Sequence, residues 1–259
     1  MQHSFLDQYS DRDSVVHRLD PRTKLVATFV LILAVALTPP DMWLSYGVYA
    51  GLLMAWLGLS RVPPQYILRR SLVIIPFVAL IAVFVPFFHN GQIAGSYSLG
   101  GWQLSVTYDG LQVLRNILVR AWLSITALVL LAATTRMSEL LHAMEMLHLP
   151  RVLVMILSFM YRYIFVLVDE VMRLKMARAS RNFGSGGTRL WRIRVVGSMI
   201  GTLFIRTYER AERVYAAMVS RGFDGRSRTL RRLQLGRADF AAAVLCAGSI
   251  AAATMAAVL

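Results

Sequence analysis

The feature that most constrains this chain is a series of apolar runs, at 25–38, 42–59, 71–88, 110–133 and 240–259, most of them near twenty residues long. A helix needs about 20 such residues to cross the hydrocarbon core of a bilayer. A soluble domain is about half apolar. This chain is 57% hydrophobic over 259 residues, with a mean hydropathy of +0.55. The pattern predicts an all-α, polytopic membrane protein with about five transmembrane helices.

Charge orients those runs. The formal net charge is +14, and 19 of the 28 Lys and Arg residues fall in 134–239. The connection 60–70 is also basic, whereas 39–41 and 89–109 contain no Lys or Arg. Cytoplasmic segments carry the excess of basic residues, beside anionic lipid headgroups. The N-terminus and 134–239 are therefore expected in the cytoplasm and the C-terminus outside. The domains follow: 1–133 holds an N-terminal arm and four membrane helices, 134–239 a cytoplasmic region, and 240–259 a last membrane helix. Nucleic acid is a poor alternative partner, because the basic residues alternate with apolar ones and adjoin membrane segments. No cleavable signal is expected, since 1–24 carries charges of both signs.

Local signals refine the runs. Asp20 suits a helix N-cap and Pro21 the first helical position. Trp43, Tyr46, Tyr49 and Trp56 read as interfacial anchors. The third run is expected to continue through Pro76 and Pro86 to residue 88, with neighbours satisfying the freed carbonyls. The segment 152–168 is apolar enough to be a sixth span, but Arg162 lies within it and basic residues follow. An arginine at the centre of a span costs about 2.5–3.5 kcal/mol. The segment reads as a partly embedded amphipathic cytoplasmic helix, with a span as the alternative. A second long helix is expected over about 190–222, apolar in its first half and charged in its second. Each long helix would then carry its apolar part near the membrane and its polar end away from it.

The two long helices end alike. "SRNFG" at 180–184 and "SRGFDG" at 220–225 both give Ser-Arg, a Gly or Asn, then Phe and Gly. Gly and Asn most readily adopt the left-handed conformation that closes a helix. Each arginine would sit in the final turn. Arginine near a helix C-terminus can simply complement the macrodipole. Its planar fork also suits a groove lined by carboxylates or carbonyls. Two similar tips on consecutive helices favour a pair of prongs that insert into a cytoplasmic partner.

Self-contained chemistry is hard to find. "FGSGGTRLW" at 183–191 is Gly-rich but lacks the Lys-Ser/Thr that a phosphate loop needs. The five histidines form no i,i+4 pair, and the single cysteine, Cys246, excludes a thiolate cluster. No catalytic residue, metal site or cofactor of this chain alone is expected. No Asp or Glu falls inside the five runs, which disfavours a proton-coupled carrier. Arg115 could snorkel outward, whereas Arg120 is deeper and faces protein, either for structural pairing or for contact with a partner subunit.

The motifs "HRLDPRTKL" (17–25), "LHLPR" (147–151), "MARASRNFG" (176–184) and above all "YERAERVYAAMVSRGFDG" (208–225) carry a resemblance. The chain is similar to the transmembrane T component of energy-coupling factor (ECF) transporters, especially the CbiQ branch that serves cobalt uptake. The resemblance implies a non-catalytic scaffold with two coupling helices. Their X-Arg-X motifs would dock two ABC-type ATPase subunits. A membrane S subunit would capture substrate, with a small accessory membrane subunit alongside. By position the second motif is Ser220-Arg221-Gly222. The first is Ala177-Arg178-Ala179 or Ser180-Arg181-Asn182. Cobalt leads as the implied cargo, with nickel and vitamins as alternatives.

Overall fold

The computed structural model of the chain describes residues 14–88, 93–99, 102–180, 188–225 and 236–255. In chain order these form α1 (Val15–Arg18), α2 (Pro21–Leu37), α3 (Trp43–Ser60), α4 (Pro64–Ala82) and α5 (Val85–Phe88). An antiparallel hairpin follows, β1 (Ile93–Leu99) and β2 (Trp102–Thr107), with Leu99 opposite Trp102. Then come α6 (Tyr108–Thr134), α7 (Met137–Met146), α8 (Arg151–Ser180), α9 (Arg189–Ser220) and α10 (Arg237–Met255). Apart from that hairpin the fold is helical, as the apolar runs imply. Contacts divide the chain into two compact units, residues 4–143 with 232–259, and residues 144–231.

The larger unit is a bundle around α6, which packs on α2, α3, α4 and α5, while α10 packs on α2 and α3. Leu31 and Val35 of α2, Leu53 of α3, and Leu123, Ala127 and Leu130 of α6 meet in its core. The same helices also expose large apolar side chains, among them Phe29, Leu33, Leu44, Phe77 and Leu80. Apolar residues inside and outside a helical bundle are the arrangement a lipid solvent demands. Four described helices are long and apolar enough to cross a membrane: α4, α6, α8 and α10. Asp20 caps α2 by accepting from Arg22 N, with Pro21 at the first position. The turn before residue 25 lengthens α2 to 17 residues, about 26 Å at 1.5 Å each.

Two local expectations fail. The third run is not one helix: α4 ends at Ala82, and two turn residues separate it from α5. Pro86 lacks an N–H donor, and its backbone instead lies against Gly110, where an added Cβ would come within 2.6 Å of Pro86 Cα. Nor are Tyr46 and Tyr49 interfacial anchors; both are buried in the bundle core. Their hydroxyls find protein partners there, Tyr49 with Thr38 Oγ1 and Tyr46 with the Thr38 carbonyl. Trp43 keeps an exposed face and Trp56 packs against the core.

Candidate functional site

The smaller unit is built on α8 and α9, of 30 and 32 residues. Their pairing is antiparallel. Arg206 Nη1 donates to Glu170 Oε1 at 2.7 Å, and Arg178 Nη1 lies 4.0 Å from Met199 Sδ. As residue numbers rise along α8 they fall along α9. The two polar ends therefore point in opposite directions. From Met199, beside the end of α8, to Arg221 is 22 residues of helix, roughly 33 Å.

Glu170 is the hub of this pair. It also accepts from Arg173 Nη2 at 2.8 Å, and Arg210 Nη2 stands 3.9 Å away. Hydrogen bonding from Arg206 is the main cause that holds its carboxyl below the usual glutamate range; desolvation opposes this and Arg173 adds to it. Beyond the hub the helices line an open groove of about 510 Å3, bordered by Met155, Phe159, Tyr163, Val214, Met218 and Phe223 among others. Nothing in the local sequence singles out Glu170. The available signal was charge: a carboxylate among many arginines must find them.

The α9 tip closes by two backbone bonds. Phe223 N donates to Met218 O at 3.1 Å and Gly222 N to Val219 O at 2.9 Å, with Gly222 at φ +77. This is a Schellman motif, in which only glycine takes the left-handed residue without strain. Arg221 is the C-cap residue and its side chain is exposed. Ser220 Oγ bonds back to Ala217 O at 3.0 Å. Ser180 Oγ does the same to Ala177 O at 3.0 Å, and Ser180 is the last described residue of α8. Arg178 lies one turn inside, half-buried, with its guanidinium on Met199. Ala179 is exposed. Arg181 and Asn182 lie outside the described residues.

Arg120 sits elsewhere, in the larger unit. Its Nε donates to Tyr46 Oη at 2.8 Å and its Nη2 to Thr38 O at 2.6 Å, pinning α6 to the end of α2 and to α3. Arg115 stacks over the Trp43 ring at 4.2 Å from the centroid rather than extending alone. Among the described residues no three His, Cys, Asp or Glu side chains could hold a metal ion together.

The fold thus defines a polytopic α-helical membrane protein with a long-helix appendage ending in arginine. Residues 12–230 match the profile of the CbiQ cobalt transport protein family. The energy-coupling factor transporter transmembrane protein of Thermosediminibacter oceani is 33% identical over 266 residues, covering 95% of this chain and 96% of that one. Its counterpart from Thermanaerovibrio acidaminovorans is 33% identical over 259 residues, covering 95% and 93%. An uncharacterised protein of Methanocaldococcus jannaschii is 28% identical over 242 residues, covering 92% and 81%. The chain belongs to the CbiQ family of energy-coupling factor transporter transmembrane components.

Proposed function

We propose that this chain is the scaffold and energy-coupling subunit of an ATP-driven importer, with ATP hydrolysis carried out by two ABC-type ATPase subunits bound to it. One observation carries the reading: α8 and α9 run antiparallel, so their arginine-bearing tips stand at opposite ends, roughly 33 Å apart by helical rise. Two tips so separated suit two partner subunits, one at each, better than one partner gripped by both. The Glu170 cluster ties the helices together, so nucleotide-driven movement at either tip would move the pair as one body.

The docking residues are Ser220, Arg221 and Gly222 at one tip and Ser180, Arg181 and Asn182 at the other. The engagement of Arg178 with Met199 supports Arg181 over Arg178, as does Ser180 bonding back to Ala177 in the way that Ser220 bonds back to Ala217. The bundle of residues 4–143 and 232–259 holds a substrate-capturing S subunit in the membrane. Arg120 serves the bundle itself, since its bonds go to Tyr46 and Thr38. The basic region 134–239 faces the cytoplasm, which supports five spans and reads α8 as a coupling helix. Cobalt ion is the cargo the family description favours; nickel or a vitamin would use the same machinery.

The test is the double substitution Arg181→Glu with Arg221→Glu in the full complex. It leaves membrane insertion intact and abolishes co-purification of the ATPase subunits. Unchanged ATPase recovery with the doubly substituted chain refutes the reading.

A further inference from the structure

The bundle contains three buried charges that the docking tips do not use: Asp20, Lys24 and Asp239. Lys24 is 1% exposed, and Asp20 and Asp239 are each 5% exposed. Lys24 Nζ donates to Thr134 O at 3.2 Å and to His17 O at 3.1 Å. Thr134 is the last residue of α6, whose final carbonyls have no partner within the helix. A cation there also matches the negative end of the α6 dipole.

Asp239 performs the opposite task. Its Oδ2 accepts from Gly236 N at 2.7 Å, reaching back across the first turn of α10 as in a capping box. Its Oδ1 accepts from Asp20 N at 2.6 Å, and Asp20 is the N-cap of α2. One carboxylate thus closes the positive ends of two helices 219 positions apart in sequence. Thr134 is followed by α7, which leads the chain out of the bundle to residues 144–231, and Gly236 lies five residues after the chain returns at 231. Asp20 and Lys24 belong to one helical turn of α2. That turn therefore holds the end of α6 through Lys24 and the start of α10 through Asp239.

We propose that Lys24 and Asp239 are positioning residues for energy coupling: with Asp20 they form a buried clamp that holds together the end of α6 and the start of α10, the two bundle helices between which the coupling-helix segment is inserted. This rests on the coupling reading above. The coupling-helix segment is joined covalently to the bundle through these two connections, and the clamp fixes the bundle end of each.

The test uses the complete complex with Asp239→Asn and Lys24→Met, both of near-native side-chain length, in a Cys246→Ser background with spin labels at Arg61 and Glu209. Adding ATP shifts the label separation in the parent complex. In the variants ATPase binding and hydrolysis stay within about twofold, while the fraction of complexes that shift falls about fivefold or more, a coupling change of ordinary allosteric size. Hydrolysis and shift falling in proportion, or neither changing, overturns the proposal. Amide exchange on the unsubstituted chain tests the clamp separately, whatever binds the tips. The Asp20 and Gly236 amides exchange slowly, and both accelerate in Asp239→Asn; loop-like exchange at both in the parent overturns the clamp even where Arg221 docking stands.

Discussion

Gly222→Ala isolates the backbone of the α9 tip from its chemistry. Gly222 has φ +77, and a Cβ built on it meets nothing within 4 Å. The substitution therefore creates no clash, and its whole effect is the left-handed conformation, which costs an L-residue about 1–2 kcal/mol. The chain relieves this by opening the bonds from Gly222 N and Phe223 N to Val219 O and Met218 O. Arg221 then loses its fixed position beyond the helix. An energy of that size changes the population of the closed tip roughly 5–30-fold. We expect the affinity of purified ATPase subunits for the full-length protein in nanodiscs, measured by interferometry, to fall in proportion to the closed fraction, by up to that factor. The thermal midpoint should barely move, because the tip is exposed. Gly222→Asn should recover much of the loss, since asparagine visits the same region. Gly225→Ala is the control: its φ is +78 and its surroundings are equally open, but it lies outside the closure. Equal losses at 222 and 225 refute the argument. So does an unchanged affinity in Gly222→Ala when Arg221→Ala abolishes binding.

Gly110→Ala forces a Cβ within 2.6 Å of Pro86 Cα, backbone against backbone, so the thermal midpoint in detergent should fall with a loss of about 1–3 kcal/mol. An unchanged midpoint would contradict the close approach of α5 and α6. Arg120→Met removes the charge-assisted bonds to the Thr38 carbonyl and the Tyr46 hydroxyl, which keep their bond to each other, at about 1.5–3 kcal/mol for each bond lost. Tyr46→Phe should cost less by the same denaturation assay, and a larger loss in Phe than in Met would reverse the assignment of the pin. Glu170 lies beyond the apolar run 152–168, and its folded-state pKa is lowered, chiefly by Arg206. Its contribution is thus complete above the ordinary glutamate range and is lost as pH falls through the lower folded value. Cross-linking between α8 and α9 should weaken on that acid limb, and Glu170→Gln should remove the pH dependence; identical profiles would show that Glu170 is not the linking group.

Much of the fold was legible because its signals are local. The N-cap at Asp20, the helix after Pro21 and the glycine closing α9 depend on residues within one turn. The closure at the α9 tip was legible too, since Ser-Arg-Gly-Phe needs no distant partner to be read, whereas residues 181–184 of the first tip lie outside the described residues. The tyrosines of α3 were not. A tyrosine in an apolar run suits an interface or a core equally, and the decision for burial comes from Thr38, across the turn before α3, and from Arg120, 74 positions on from Tyr46. The end of α4 escaped for a like reason: proline in a membrane run signals a kink or a stop, and the contact with Gly110 selects the stop.

The sequence by itself determined an apolar helical chain, its division by charge and two arginine-bearing helix ends, because these follow from hydropathy, local backbone preference and composition. Only the tertiary structure decided that α8 and α9 run antiparallel and send those ends in opposite directions, with Glu170 as their link. It alone gathered Asp20, Lys24 and Asp239 into one buried cluster. Interactions across 36 or 219 positions leave no periodicity to read. They exist only when packing brings opposite charges and helix ends out of water together, where an unpaired group would be too costly to keep.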